Sequence, residues 1–121
     1  MLTFCVAVGA YGADVVTVEV QEIQYLISSI GTLQEAQFVR NGKAYDAAAA
    51  ADHLWLKLKN AGPRVRTADD FIRLCASASS MSGEPYQIRF GDGRVITSAS
   101  FLRGKLADYR TQHQAIAGHQ R

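Results

Sequence analysis

The chain has 121 residues, 48% hydrophobic and 20% charged, a composition ordinary for one globular domain and unlike that of a disordered chain. With 13 basic and 11 acidic residues the formal net charge is +2, too small for the electrostatic footprint of a nucleic-acid binder. No run of about 20 apolar residues is present, so no membrane-spanning helix is expected.

The first 13 residues, MLTFCVAVGAYGA, carry no charge and pass from large apolar to small side chains. That order resembles the apolar core and cleavage region of a secretory signal peptide, although the basic residue that normally precedes such a core is missing. Val8 and Ala10 suit cleavage after Ala10, and Gly12 or Ala13 offer later sites; a buried strand or helix is the alternative. The expectation is a signal peptide over 1–13, a single globular domain over 14–111, a loose tail over 112–121, and a periplasmic protein. Removal of the leader leaves Cys75 as the one thiol, which cannot form an internal disulfide.

The first helix is expected from about Val18 to Ile30, because Ile23, Leu26, Ile27 and Ile30 recur at helical spacing. Thr17 is a candidate cap, and Gly31 a candidate left-handed stop. Valines 15, 16, 18 and 20 favour a strand instead, so the start stays open. Phe38 to Lys43 contains Asn41-Gly42, the strongest short turn signal, and reads as a tight turn with at most short extended arms. Asp46 is a candidate N-cap for a second helix, Ala47 to Asn60, stopped by Gly62-Pro63. Thr67 and Asp70 resemble a capping box for a third helix running to about Ser79, with Cys75 on its inner stripe. Tyr86, Ile88 and Phe90 alternate with polar residues, Gly91-Asp92-Gly93 turns, and Arg94 to Thr97 returns, which is a β-hairpin. Ser98 is a candidate cap for a last helix, Ala99 to about Thr111, with Gly104 an unfavourable interior residue. The fold class is therefore α+β: about four helices with one hairpin between the third and fourth.

Several residues suggest chemistry. Arg40 and Asn41 at the turn can present a guanidinium and an amide to an anion. His53 sits on the flank of the second helix with Lys57 one turn later, a boundary position for a base or a pH-sensitive contact. Ser77, Ser79, Ser80 and Ser82 form a hydroxyl-rich loop, but no nucleophile-elbow motif surrounds them. Trp55 and Leu56 point away from the core and form a candidate interface. His113 and His119 have no partners at ligand spacing, so neither a metal nor another cofactor is expected.

Three segments carry a resemblance: Phe38-Val39-Arg40-Asn41-Gly42 with Tyr45; Ala51, His53, Leu54 and Lys57; and Asp70-Phe71-Ile72 leading to Ser79, Ser80, Ser82, Gly83, Pro85 and Tyr86. Their order and spacing resemble the YfeK-like family of small exported bacterial proteins, over about Glu22 to Arg110. The resemblance implies a periplasmic protein and no particular activity. Members often carry a cysteine where Ala36 stands here, so a thiol role at that position does not transfer. The residues carrying the resemblance are polar or amphipathic: Arg40, Asn41, Tyr45, His53, Lys57, Ser79, Ser80, Ser82 and Tyr86. They form either one ligand patch or an internal hydrogen-bond network. The leading expectation is a non-catalytic periplasmic binding or interaction module for an envelope protein or small polar ligand. The alternatives are a small hydrolase pairing His53 with a serine of residues 79–82, and an assembly protein using Trp55 and Leu56.

Overall fold

The computed structural model describes residues 18–119. The expected signal peptide, 1–13, lies outside the described residues. The elements in order are helix α1 (18–31), strands β1 (Ala36–Arg40) and β2 (Lys43–Tyr45), helix α2 (Ala47–Ala61), a 3-10 turn (Gly62–Arg64), helix α3 (Ala68–Cys75), strands β3 (Gln87–Phe90) and β4 (Val95–Thr97), and helix α4 (Ser98–His119). The α+β class with four helices is as expected. None of these helices is long and apolar enough to cross a membrane.

The single expected hairpin is corrected to two. The Asn41-Gly42 turn joins a real hairpin, with both residues at positive φ (52° and 77°) and Phe38 opposite Tyr45 across β1 and β2. Strand β1 also pairs antiparallel with β3, Phe38 opposite Ile88, which merges the two hairpins into a four-stranded sheet of order β2-β1-β3-β4. The row Tyr45–Phe38–Ile88–Ile96 runs across the face that packs on the helices. Strand alternation puts Gln37, Gln87 and Arg89 on the opposite face, where they are exposed.

The helices bury their predicted stripes. Ile23, Leu26, Ile27 and Ile30 of α1, Leu54 of α2, Phe71, Ile72 and Cys75 of α3, and Leu102 and Leu106 of α4 join Phe38 and Ile88 in one core. Val18 and Val20 are helical and exposed, which settles the strand alternative for these two. Gly31 does not stop α1 by a left-handed turn; it stays helical. A Cβ there would lie 3.2 Å from the Ala51 Cβ, so the glycine lets α1 and α2 approach closely. Asp46 caps α2 by accepting from the Ala49 amide at 2.8 Å.

Helix α3 has the expected capping box: Thr67 Oγ1 accepts from the Asp70 amide at 3.0 Å and Asp70 Oδ2 accepts from the Thr67 amide at 3.3 Å. Glu19 of α1 adds a further acceptor for the Ala68 amide at 2.9 Å. The helix ends at Cys75 and not near Ser79. The Ser77 hydroxyl donates to the Ile72 carbonyl, the Tyr86 amide to the Ser77 carbonyl, and the Gly83 amide to the Ser79 carbonyl. These local bonds give residues 76–86 a loop structure that competes with helix. Two corrections concern α4. Its cap is Thr97, whose hydroxyl accepts from the Ser100 amide at 3.2 Å, while Ser98 is the first helical residue and is buried. The helix also continues through His119, beyond the end expected near Thr111.

Candidate functional site

Three elements meet at one end of the sheet. Arg40 is the last residue of β1, two after Phe38, so alternation carries it to the helix-facing side. His53 and Lys57 lie one turn apart on α2. Tyr86 precedes β3 by one residue and shares the face of Ile88. Their amphipathic side chains reach across the gap between α2 and the β1–β2 hairpin.

Arg40 Nη1 lies 3.1 Å from His53 Nε2 and 3.2 Å from Nδ1. Nη1 is thus hydrogen-bonded to the imidazole. Arg40 Nη2 donates to the Tyr45 hydroxyl at 3.2 Å, with the guanidinium 5.3 Å from the centre of that ring. Lys57 Nζ donates to the Tyr86 hydroxyl at 3.0 Å and to the Ala78 carbonyl at 3.1 Å. The Tyr86 hydroxyl is 3.2 Å from His53 Nε2. An ammonium can only donate, so the Tyr86 oxygen accepts from Lys57, and the imidazole tautomer sets which way the bond between this hydroxyl and Nε2 runs. Burial, then the charges of Arg40 and Lys57, hold His53 below its ordinary pKa.

Beneath these groups is a cleft of about 150 Å³. Its walls are Ile30, Phe38, Leu54, Ala49 and Ala50, and its polar lining comes from Arg40, Tyr45, His53, Tyr86 and Ser98. Neither Arg40 nor Lys57 forms an ion pair among the described residues; the ion pairs there involve Arg73, Arg94 and Arg110. A wider, shallower hollow of about 580 Å³ lies beside Glu35, Asp46 and Arg89. Arg89 there faces the Gln37 amide, and no comparable set of polar groups converges.

The expected nine-residue patch divides in three. Arg40, Tyr45, His53 and Tyr86 line the cleft, with Lys57 bonded behind Tyr86. Asn41, Ser79 and Ser82 form a separate clasp: Asn41 Nδ2 donates to Ser79 Oγ at 3.2 Å and the Ser82 hydroxyl donates to Asn41 Oδ1. Ser79 Oγ also accepts from the Met81 amide at 3.2 Å, so this clasp joins the hairpin turn to the serine loop. Ser80 is exposed and belongs to neither group. Trp55 and Leu56 are exposed on another side of α2, 44% and 53% accessible. Cys75 is fully buried, which raises its thiol pKa. No group of three or more His, Cys, Asp or Glu side chains placed to hold a metal occurs among the described residues.

Sequence reasoning missed the apolar walls and Ser98. The run Ala47–Ala51 was legible as a helix former, but its second effect is steric: small side chains at 49 and 50 leave the space that a larger residue would fill.

The DUF5329 family model, described as a family of unknown function, matches residues 17–110. The chain belongs to this family. The match spans every element from α1 to most of α4, and so contains both polar networks. A relative within reach of sequence comparison is the uncharacterized protein YfeK of Salmonella typhimurium strain LT2, 39% identical over 74 residues. That alignment covers 61% of this chain and 62% of the relative, so the chain spans less than two thirds of the curated protein it matches. No solved structure matches.

Proposed function

We propose that the chain is an exported, non-catalytic binding module of the cell envelope that takes a small polar ligand into the cleft between α2 and the β1–β2 hairpin. The observation that carries this reading is the convergence of Arg40, Tyr45, His53 and Tyr86 on one partly apolar hollow. Pockets of this kind, mostly apolar with a few convergent polar groups, are where small ligands bind. The cation of Arg40 has no carboxylate partner among the described residues, which leaves it available to a ligand.

The hydrolase alternative has less support. His53 hydrogen-bonds with Arg40 and Tyr86, and its partners include no serine. Ser79 Oγ is already engaged by Asn41 and by backbone amides, so the nucleophile–base contact that a Ser–His mechanism requires is not formed. An assembly role would use Trp55 and Leu56, outside the cleft.

Two measurements test the reading. Mass spectrometry of small molecules that co-purify with the protein from a bacterial periplasm should show a species enriched with wild type and lost with Arg40→Ala. Hydrolysis of a nitrophenyl ester should be no faster with wild type than with His53→Ala; a His53-dependent turnover would establish the hydrolase instead. Export is checked separately by fusing residues 1–17 to a reporter active only outside the cytoplasm.

A further inference from the structure

We infer that the cleft takes a small carboxylate amphiphile, its carboxylate on Arg40 and the Tyr45 hydroxyl and its apolar body, about the size of a benzene ring, against Phe38, Ala49, Ala50 and Leu54. This rests on the reading of the cleft as a binding site and adds the chemical class of its occupant.

The charge argument comes first. Among the residues lining the cleft, Arg40 is the single full cation, because His53 is held neutral and Lys57 is turned to the Ala78 carbonyl and the Tyr86 hydroxyl. Of the five guanidinium donors, one Nη2 proton goes to the Tyr45 hydroxyl and Nη1 donates to the imidazole, while the Nε proton and the second Nη2 proton have no hydrogen-bond partner among the described residues. The unspent donors form a fork that fits a carboxylate in two-point contact. A phosphate dianion would carry a second charge into a wall of Phe38, Leu54 and alanines, where an uncompensated charge is costly.

The Tyr45 hydroxyl completes the headgroup site. Tyr45 accepts from Arg40, so its own proton is free to donate. Tyr86 accepts from Lys57 and faces His53. The size follows from the cavity: about 150 Å³ is the scale at which an apolar cavity holds one benzene-sized molecule.

Occupation also couples to protonation. The groups facing His53 are Arg40 from the β1–β2 hairpin, whose guanidinium also holds Tyr45, Lys57 from α2 itself and Tyr86 from the loop before β3. A carboxylate beside Arg40 offsets the positive charge that His53 feels, so binding raises the imidazole pKa and tightens as the ring protonates.

The experiment is a titration of the full chain at pH 7 with benzoate, benzyl alcohol and inorganic phosphate, followed by the NMR shift of the His53 ring protons. Benzoate should bind about tenfold more tightly than benzyl alcohol, the scale of one charge-assisted hydrogen bond. Arg40→Gln should remove that difference and leave benzyl alcohol unaffected. Ala50→Leu, which fills the hollow, should abolish both responses while the melting transition stays cooperative. Equal binding of benzoate and benzyl alcohol, indifferent to Arg40→Gln, would overturn the anionic class and leave the binding cleft standing. Phosphate as tight as benzoate would overturn the amphiphile. No response to any of the three probes would remove both this inference and the binding reading beneath it.

Discussion

At the scale of single residues, His53 shows how a boundary position becomes a polarised one. Helical phase alone places it on the flank of α2; only the fold supplies Arg40, Tyr86 and Lys57 around it. Its pKa in the folded chain lies below the ordinary value of 6.5, so the unfolded chain binds the proton more readily. The sign follows: this contribution to stability is fully present above about pH 6.5 and is lost as pH falls through the folded value. Wild type should therefore lose more stability than His53→Gln between pH 7 and 5, measured by urea unfolding; equal losses would show that the ring is not destabilised in its charged form. Asp70 and Asp92 do not confuse the comparison, because hydrogen bonds from Arg66, Arg73 and Thr67 to the one and from Arg94 to the other hold both below the ordinary carboxylate value, beneath this window. The residues of the polar cluster were legible one by one from their type and spacing. Their division into a cleft lining and a separate Asn41–Ser79–Ser82 clasp was not, because it depends on contacts 13 to 41 positions apart in sequence.

At the scale of elements, local signals were sufficient wherever a helix had a cap, a stripe and a stop. The Asp46 cap, the Thr67–Asp70 box and the stripe of α1 all form as read. What failed was sheet membership. Strand β2 has three residues, Lys43–Tyr45, too few to show alternation, and β1 joins β3 across a gap of more than 45 positions that no local pattern encodes. The end of α3 failed for a different reason: its serines satisfy backbone groups more effectively in a loop than in another turn of helix. Two glycines in helices now have opposite expectations. A Cβ at Gly104 meets nothing within 4 Å, so Gly104→Ala should add about 1 kcal/mol through helix propensity, raising the melting temperature by about 4–8 °C. At Gly31 the same methyl presses on the Ala51 Cβ, which is fixed to the backbone of α2 and cannot swing away. Gly31→Ala should therefore destabilise, by about 1 kcal/mol after the propensity gain, and Ala51→Gly in the same chain should recover the packing part of that loss. A stabilising Gly31→Ala would mean that α1 and α2 can separate without cost.

At the scale of the whole molecule, the helical layer is tied together by charge as well as by its core. Arg110 in the middle of α4 makes two hydrogen bonds to Glu22 of α1, at 2.8 and 2.9 Å, and a third to Asp69 of α3 at 3.3 Å. This clasp joins residues 88 positions apart on opposite ends of the family match. The hydrogen bonds and charge of the Glu22 carboxylate hold the guanidinium pKa above its ordinary value. The two partners are unequal: the Glu22 side chain is 6% accessible and that of Arg110 39%. Removing the arginine thus strands a buried carboxylate, whereas removing the glutamate leaves a half-solvated cation. Breaking a fully buried pair costs about 3–5 kcal/mol, and solvent around Arg110 screens part of this, so Arg110→Met should cost about 2 kcal/mol. Glu22→Gln alone should cost less, and the double variant should be more stable than Arg110→Met alone, because the buried charge has gone with its partner. Thermal unfolding of the three variants checks the order. If Glu22→Gln cost nothing and the double variant were no more stable than Arg110→Met, the clasp would owe its strength to Arg110 and Asp69, and α4 would be anchored to α3 instead of to α1.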